Sequence, residues 1–172
     1  IDNYIYLQDE SEEDHEDEMH EDEEHGDHGG LILANYLQQD AEFIGYELEI
    51  GKVFDLGRGA LQVSFSRDSV SGDFDGGANV PRIVPERNIY SVSYSEDTVD
   101  LELKLKDVEE QTDTGVNETA TSDYQMLDLS FTKTFKIHQR SELSLSVFGN
   151  NLTNEVARNH ASFVKDEVPL PG

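Results

Sequence analysis

Between Asp9 and His28 the chain reads DESEEDHEDEMHEDEEHGDH, which places 13 acidic residues and four histidines in 20 positions. Met19 is the only apolar side chain in that tract. So little hydrophobic surface cannot offset the entropy of ordering, and mutual repulsion of carboxylates opposes compaction, so the tract reads as a solvated loop in the absence of a cation. His15, His20 and His25 recur every five residues, and His28 follows Gly26. Imidazole nitrogen suits zinc, copper or nickel, whereas carboxylates alone suit calcium or magnesium. The mixture favours a borderline metal such as Zn²⁺, with Asp14, Glu16, Asp22 and Asp27 beside the histidines as candidate oxygen ligands. Two spacings rule out familiar metal motifs. HEDEMH sets its histidines one residue too far apart for the helical HExxH pair, and no Asp-rich loop has the glycine and distant glutamate of an EF-hand. Five residues span at most about 18 Å extended, so a folded loop brings two or three histidines to one ion. The expected behaviour is low-affinity capture of several ions.

The remainder of the chain must present that tract. At 172 residues and 35% hydrophobic composition there is enough for one domain, with a formal net charge of −26, half of it in the tract. The other 152 residues are acidic too, which disfavours nucleic acid and favours cationic partners. Cysteine is absent, which excludes disulfides, thiolate metal sites and cysteine nucleophiles. No phosphate-binding glycine loop or nucleophile elbow occurs, and scattered carboxylates do not make an acid/base pair, so no enzyme is expected. No apolar run reaches the length of a transmembrane helix and no signal peptide begins at Ile1. Membrane strands remain open, since they hide hydrophobicity in alternation.

Alternation is what the body of the chain displays. Residues 1–7 read as a strand already in progress, and 31–54 as one long strand with Ile44, Tyr46, Leu48 and Ile50 on one side. Residues 60–70, 89–94, 99–105, 124–135 and 143–147 alternate likewise, giving seven strands. Gly and Pro in SGDFDGGANVPRIVPER stop the ladder after residue 70. Connections alternate between long (9–30, 71–85, 112–122, after 149) and short (55–59, 95–98, 137–141). Short turns on one rim and long loops on the other predict an all-β, antiparallel, up-and-down transmembrane β-barrel segment, incomplete at about seven strands. On that rule residues 9–30 form an acidic His-rich extracellular loop within a single unit spanning 1–172. A soluble sandwich would show similar alternation with shorter strands and less regular loops.

Three stretches carry a family resemblance. YLQQDAEFIGYELE at 36–49 resembles a late barrel strand of TonB-dependent outer-membrane receptors, VPRIVPERN at 80–88 resembles one of their loops, and FGNNLTNEVARNHASFVKDEVPLPG at 148–172 is similar to the segment before their final strand. RNHASFVKD together with the His-rich tract is most similar to the zinc-uptake branch. The resemblance implies an outer-membrane receptor importing a metal ion, with Zn²⁺ as cargo, and makes His160 a further metal candidate. It also implies lipid around the barrel, and a plug domain and TonB as partners through parts not in this sequence. Such barrels have about 22 strands, so the chain is expected to be the C-terminal portion of one, in a Gram-negative outer membrane. His138, in a short turn, reads as structural. Asp73, Asp75 and Asn79 offer oxygen ligands, although Gly-Asp clusters are ordinary loop chemistry. Different classes remain: a siderophore or haem receptor, which would need aromatic and arginine contacts; a soluble extracellular metal-binding β-sandwich; and a surface adhesin.

Overall fold

The computed structural model describes residues 1–9, 34–138 and 141–171, with only the backbone described at Asp9. Among them the chain forms eight strands and no helix: β1 (Tyr4–Asp9), β2 (Ala34–Gln39), β3 (Ala41–Asp55), β4 (Gly59–Phe74), β5 (Arg87–Glu96), β6 (Val99–Val108), β7 (Tyr124–His138) and β8 (Ser141–Gly149). The fold is all-β. β1 and β2 make a two-stranded antiparallel ladder, and β3 to β8 form one antiparallel sheet in sequence order. Among the described residues the sheet does not close into a barrel.

Two expectations shift in detail. The stretch expected as one strand over 31–54 is divided at Asp40 into β2 and β3, which raises the count from seven to eight. At that break Asn3 N donates to Asp40 Oδ1 (2.6 Å) and Asp75 N donates to the Asp40 carbonyl (3.1 Å), bonds that a continuous ladder does not supply. β4 also runs to Phe74 rather than ending at residue 70. Gly72 does not interrupt it, because the glycine is there to admit the Phe43 ring: a Cβ at Gly72 would lie 2.8 Å from that ring.

Cross-strand register shows what the period of two builds. Leu61, Tyr94, Leu101 and Phe131 form one row across β4 to β7, Val63, Val92, Leu103 and Leu129 the next, and Phe65, Tyr90, Leu105 and Leu127 a third. A polar row, Arg67, Asn88, Asp107 and Gln125, bounds this face on the side of the long connections. Gln125 Nε2 donates to Asp107 Oδ1 (2.9 Å) within it, and Arg67 Nε donates to the Tyr46 hydroxyl (2.8 Å). Eight residues further along each strand lie Gly59, Glu96, Val99 and Lys133, about 27 Å away at strand rise. The opposite face carries Ser64, Ser91, Lys104 and Asp128, again one cross-strand row.

The apolar face has no cover among the described residues. Ile50 is 60% exposed, Val92 42%, Leu103 41% and Leu145 56%. The buried apolar side chains of the strands lie on the other face, at the rim of the long connections. There Val108, Tyr124 and Met126 pack with Ala157 and Leu170, and Ala41, Phe74 and Val80 pack with Tyr4, Tyr6, Phe43 and Ile83. The core is therefore not a layer between sheets. It is where long connections fold over the polar face at one end of the strands.

Candidate functional site

Three connections meet at that end: 75–86 after β4, 109–123 after β6, and the segment from 150 onward after β8. Sequence patterning alone gives no reason for them to cohere, since none has a periodic apolar face. They cohere through polar groups. Gln111 and Thr121 exchange backbone hydrogen bonds (2.9 and 3.1 Å), pinching 109–123 into a narrow loop. Gly115 lies at its tip against Pro81, where a Cβ would come within 2.7 Å of the proline ring. Only glycine permits that approach.

Glu118 is the hub of this assembly, and its side chain is 5% exposed. Arg82 N donates to both carboxylate oxygens (3.0 and 3.1 Å), Gly115 N donates to Oε2 (2.9 Å), and Lys165 Nζ donates to Oε1 (3.2 Å). His160 Nε2 stands 3.2 Å from the same Oε1, an ionic distance without the alignment of a good hydrogen bond. Burial pushes the Glu118 carboxyl up. The His160 imidazole, the Gly115 and Arg82 amides and the Lys165 ammonium outweigh it and bring the carboxyl from an ordinary 4.5 down to about 2. Each of the three connections supplies part of the cage: Arg82 from the first, Gly115 and Glu118 from the second, His160 and Lys165 from the third.

The surrounding bonds fix these side chains. Thr121 Oγ1 is 3.0 Å from His160 Nδ1, Lys165 Nζ also donates to the Thr119 carbonyl (2.6 Å), and Arg158 Nη1 donates to the Lys165 carbonyl. Arg82 adopts φ +63°, a conformation most L residues avoid, and its guanidinium lies 3.2 Å from the centre of the Phe163 ring while Nη1 donates to the Leu7 carbonyl (3.2 Å). That last bond ties β1, which leads into the acidic tract, to the cage.

The structure thus assigns His160, 1% exposed, a place inside a protein network, both ring nitrogens facing protein partners. Among the described residues no three His, Cys, Asp or Glu side chains are grouped to hold a metal. Asp73 and Asn79 face each other across an isolated antiparallel bridge. Asn79 donates from Nδ2 to the Thr114 carbonyl (3.2 Å). His15, His20, His25, His28, Asp14, Glu16, Asp22 and Asp27 all lie outside the described residues. What is described is their attachment: the β1–β2 ladder ends at the pair Asp9 and Ala34, directly flanking residues 10–33.

Sequence reasoning missed Glu118, Thr121, Lys165 and Arg82, which meet across separations of 36 to 47 residues. One signal was present in the two Asn-x-Thr triplets. Asn117 and Asn151 both sit at positive φ (56° and 52°), as turn-forming asparagines do, and Asn117 immediately precedes Glu118. No protein-family model matches the chain, and no curated protein matches it.

Proposed function

We propose that the chain is part of an outer-membrane β-barrel that takes up a metal ion, with the acidic histidine tract gathering Zn²⁺ at the barrel mouth. The observation that carries the membrane half of this reading is the uncovered apolar face. Three successive apolar rows, flanked by a polar row on one side and by the mixed row of Gly59, Glu96, Val99 and Lys133 on the other, make a contiguous patch, and monomeric soluble proteins rarely leave such a patch in water. Each of these half-exposed apolar side chains would gain on the order of 1 kcal/mol on leaving water. The two flanking rows lie eight residues apart, close to the 9–11 residues with which a tilted strand crosses a bilayer, and the opposite face is polar as a barrel lumen is. A sandwich would need a second sheet on this face.

The metal half rests on the tract's chemistry and on the family resemblance. β1 and β2 project its flanks from the rim where the long connections lie, which is the outer rim of a barrel of this kind. Capture there concentrates a divalent cation without catalysis, and the lumen lined by Ser64, Ser91, Lys104 and Asp128 provides a hydrated path. A siderophore, haem or adhesin role has no specific support among these observations.

Absence of cysteine makes the test direct. Single cysteines at Ser91, Val92, Leu103 and Lys104, spin-labelled in the membrane-reconstituted protein, should alternate in accessibility: Val92 and Leu103 to oxygen dissolved in lipid, Ser91 and Lys104 to an aqueous nickel chelate. Uniform aqueous accessibility would sink the membrane reading. The metal reading is tested separately, by zinc uptake below.

A further inference from the structure

A cleft of about 260 Å³ opens beside the Glu118 cage, where the start of β5, the ends of β6 and β7 facing the long connections, and the segment around 158–170 meet. Its lining includes Arg87, Lys106, Arg158 and His160, and no acidic residue among the described ones. The chain has 38 acidic residues against 12 lysines and arginines, so three basic side chains lining one cavity with no acid in its lining stand out.

Two of these charges have no carboxylate partner within 4.0 Å among the described residues. Lys106 Nζ lies 5.4 Å from the centre of the Tyr124 ring, and Arg158 engages only the Lys165 carbonyl through Nη1. Arg87 is paired: Nε and Nη2 donate to Asp68 (2.8 to 3.1 Å), which holds the guanidinium plane at the cleft wall. Tyr124 and His160 are themselves buried, so the wall between the charges is fixed. Guanidinium forks match the planar geometry of carboxylate and phosphate, and an ammonium adds a movable point charge. At physiological ionic strength interactions between exposed charges are largely screened beyond about 8 Å, so these near charges outweigh distant acids.

We propose that this cleft binds a small multivalent oxyanion, held between Lys106 and Arg158 with Arg87 as a third donor. The site is independent of the metal tract: it faces the lumen side of the sheet and uses none of the tract's residues. Its ligand would be a free polycarboxylate or polyphosphate, both of which present the same kind of oxygens to the cleft.

The test is calorimetric titration of the full detergent-solubilised protein with citrate and with pyrophosphate at moderate salt. Saturable binding of either probe supports the site, and which one binds distinguishes carboxylate from phosphate recognition. Arg158→Gln and Lys106→Gln should each weaken it about tenfold or more, as loss of a charged hydrogen bond does, while Arg158→Lys retains part. Arg58→Gln, at the opposite rim by the β3–β4 turn, should leave it unchanged. Circular dichroism of each variant checks the sheet. Absence of saturable binding for both probes, or equal binding by the Lys106→Gln/Arg158→Gln double variant with its sheet intact, overturns the proposal.

Discussion

Glu118 is a carboxylate whose ionised form is needed to hold three connections together. Replacing it by glutamine removes the negative charge while leaving the Lys165 ammonium and the Arg82 and Gly115 amides in place. Breaking a buried ionic contact from one side is costly, and Glu118→Gln should lower stability by roughly 3 kcal/mol, measured by chemical denaturation followed at the loops. Acid should act on the same residue. Its carboxyl is held near 2 in the folded protein against 4.5 ordinarily, so the folded state prefers the ionised form. The stabilisation is complete above about 4.5, declines as pH falls below that, and is gone near 2, for a total of about 3 kcal/mol. Hydrogen exchange at the Arg82 and Gly115 amides, corrected for intrinsic rates, should therefore quicken between pH 5 and pH 3 in the native protein and show no such step in Glu118→Gln. None of this was legible in the sequence. A lone glutamate in a polar loop has no periodicity to betray it, and its partners are fixed only once the strands have set their register.

Strands, by contrast, were legible almost residue by residue, because alternation over β5 to β8 records two environments directly. Departures came where a local rule was outweighed by a tertiary contact. Gly72 reads as a stop yet serves ring packing by Phe43, and Asp40 divides what alternation alone would continue. The rows also make neighbouring positions unequal. Leu103→Arg, on the apolar face, should cost about 2–4 kcal/mol of folding into lipid vesicles, the penalty for a basic residue near the middle of a bilayer. Lys104→Arg, one residue on and on the polar face, should change little. Equal effects at the two positions would mean that both faces meet the same solvent, and the barrel reading would not survive that.

For the molecule as a whole, charge and topology divide the work. Half of the −26 formal charge lies in the tract at 9–28, while the sheet displays an apolar face and a mixed polar one. Changing His15, His20, His25 and His28 together to asparagine leaves all 13 carboxylates, so general cation attraction persists while preference for zinc over calcium should fall about tenfold or more, since nitrogen ligands set that preference. Uptake of radioactive zinc by cells carrying the variant at limiting metal is the measurement. Unchanged uptake and unchanged selectivity would remove the histidines from the proposed role. Composition underlies the chemistry proposed for the tract, and loop lengths the rim proposed for it; the bonding of its flanks was beyond either, because Leu7 and Arg82 stand 75 residues apart.

Asp40 carries a consequence of a different kind. It is the single residue between β2 and β3, held by Asn3 and Asp75. With side chains alternating every residue, the connection obeys an odd–even rule: one residue inserted beside Asp40 would exchange the two faces of β2 relative to β3, and two would restore them. The handedness with which the hairpin delivers its tract is thus a matter of parity at one position.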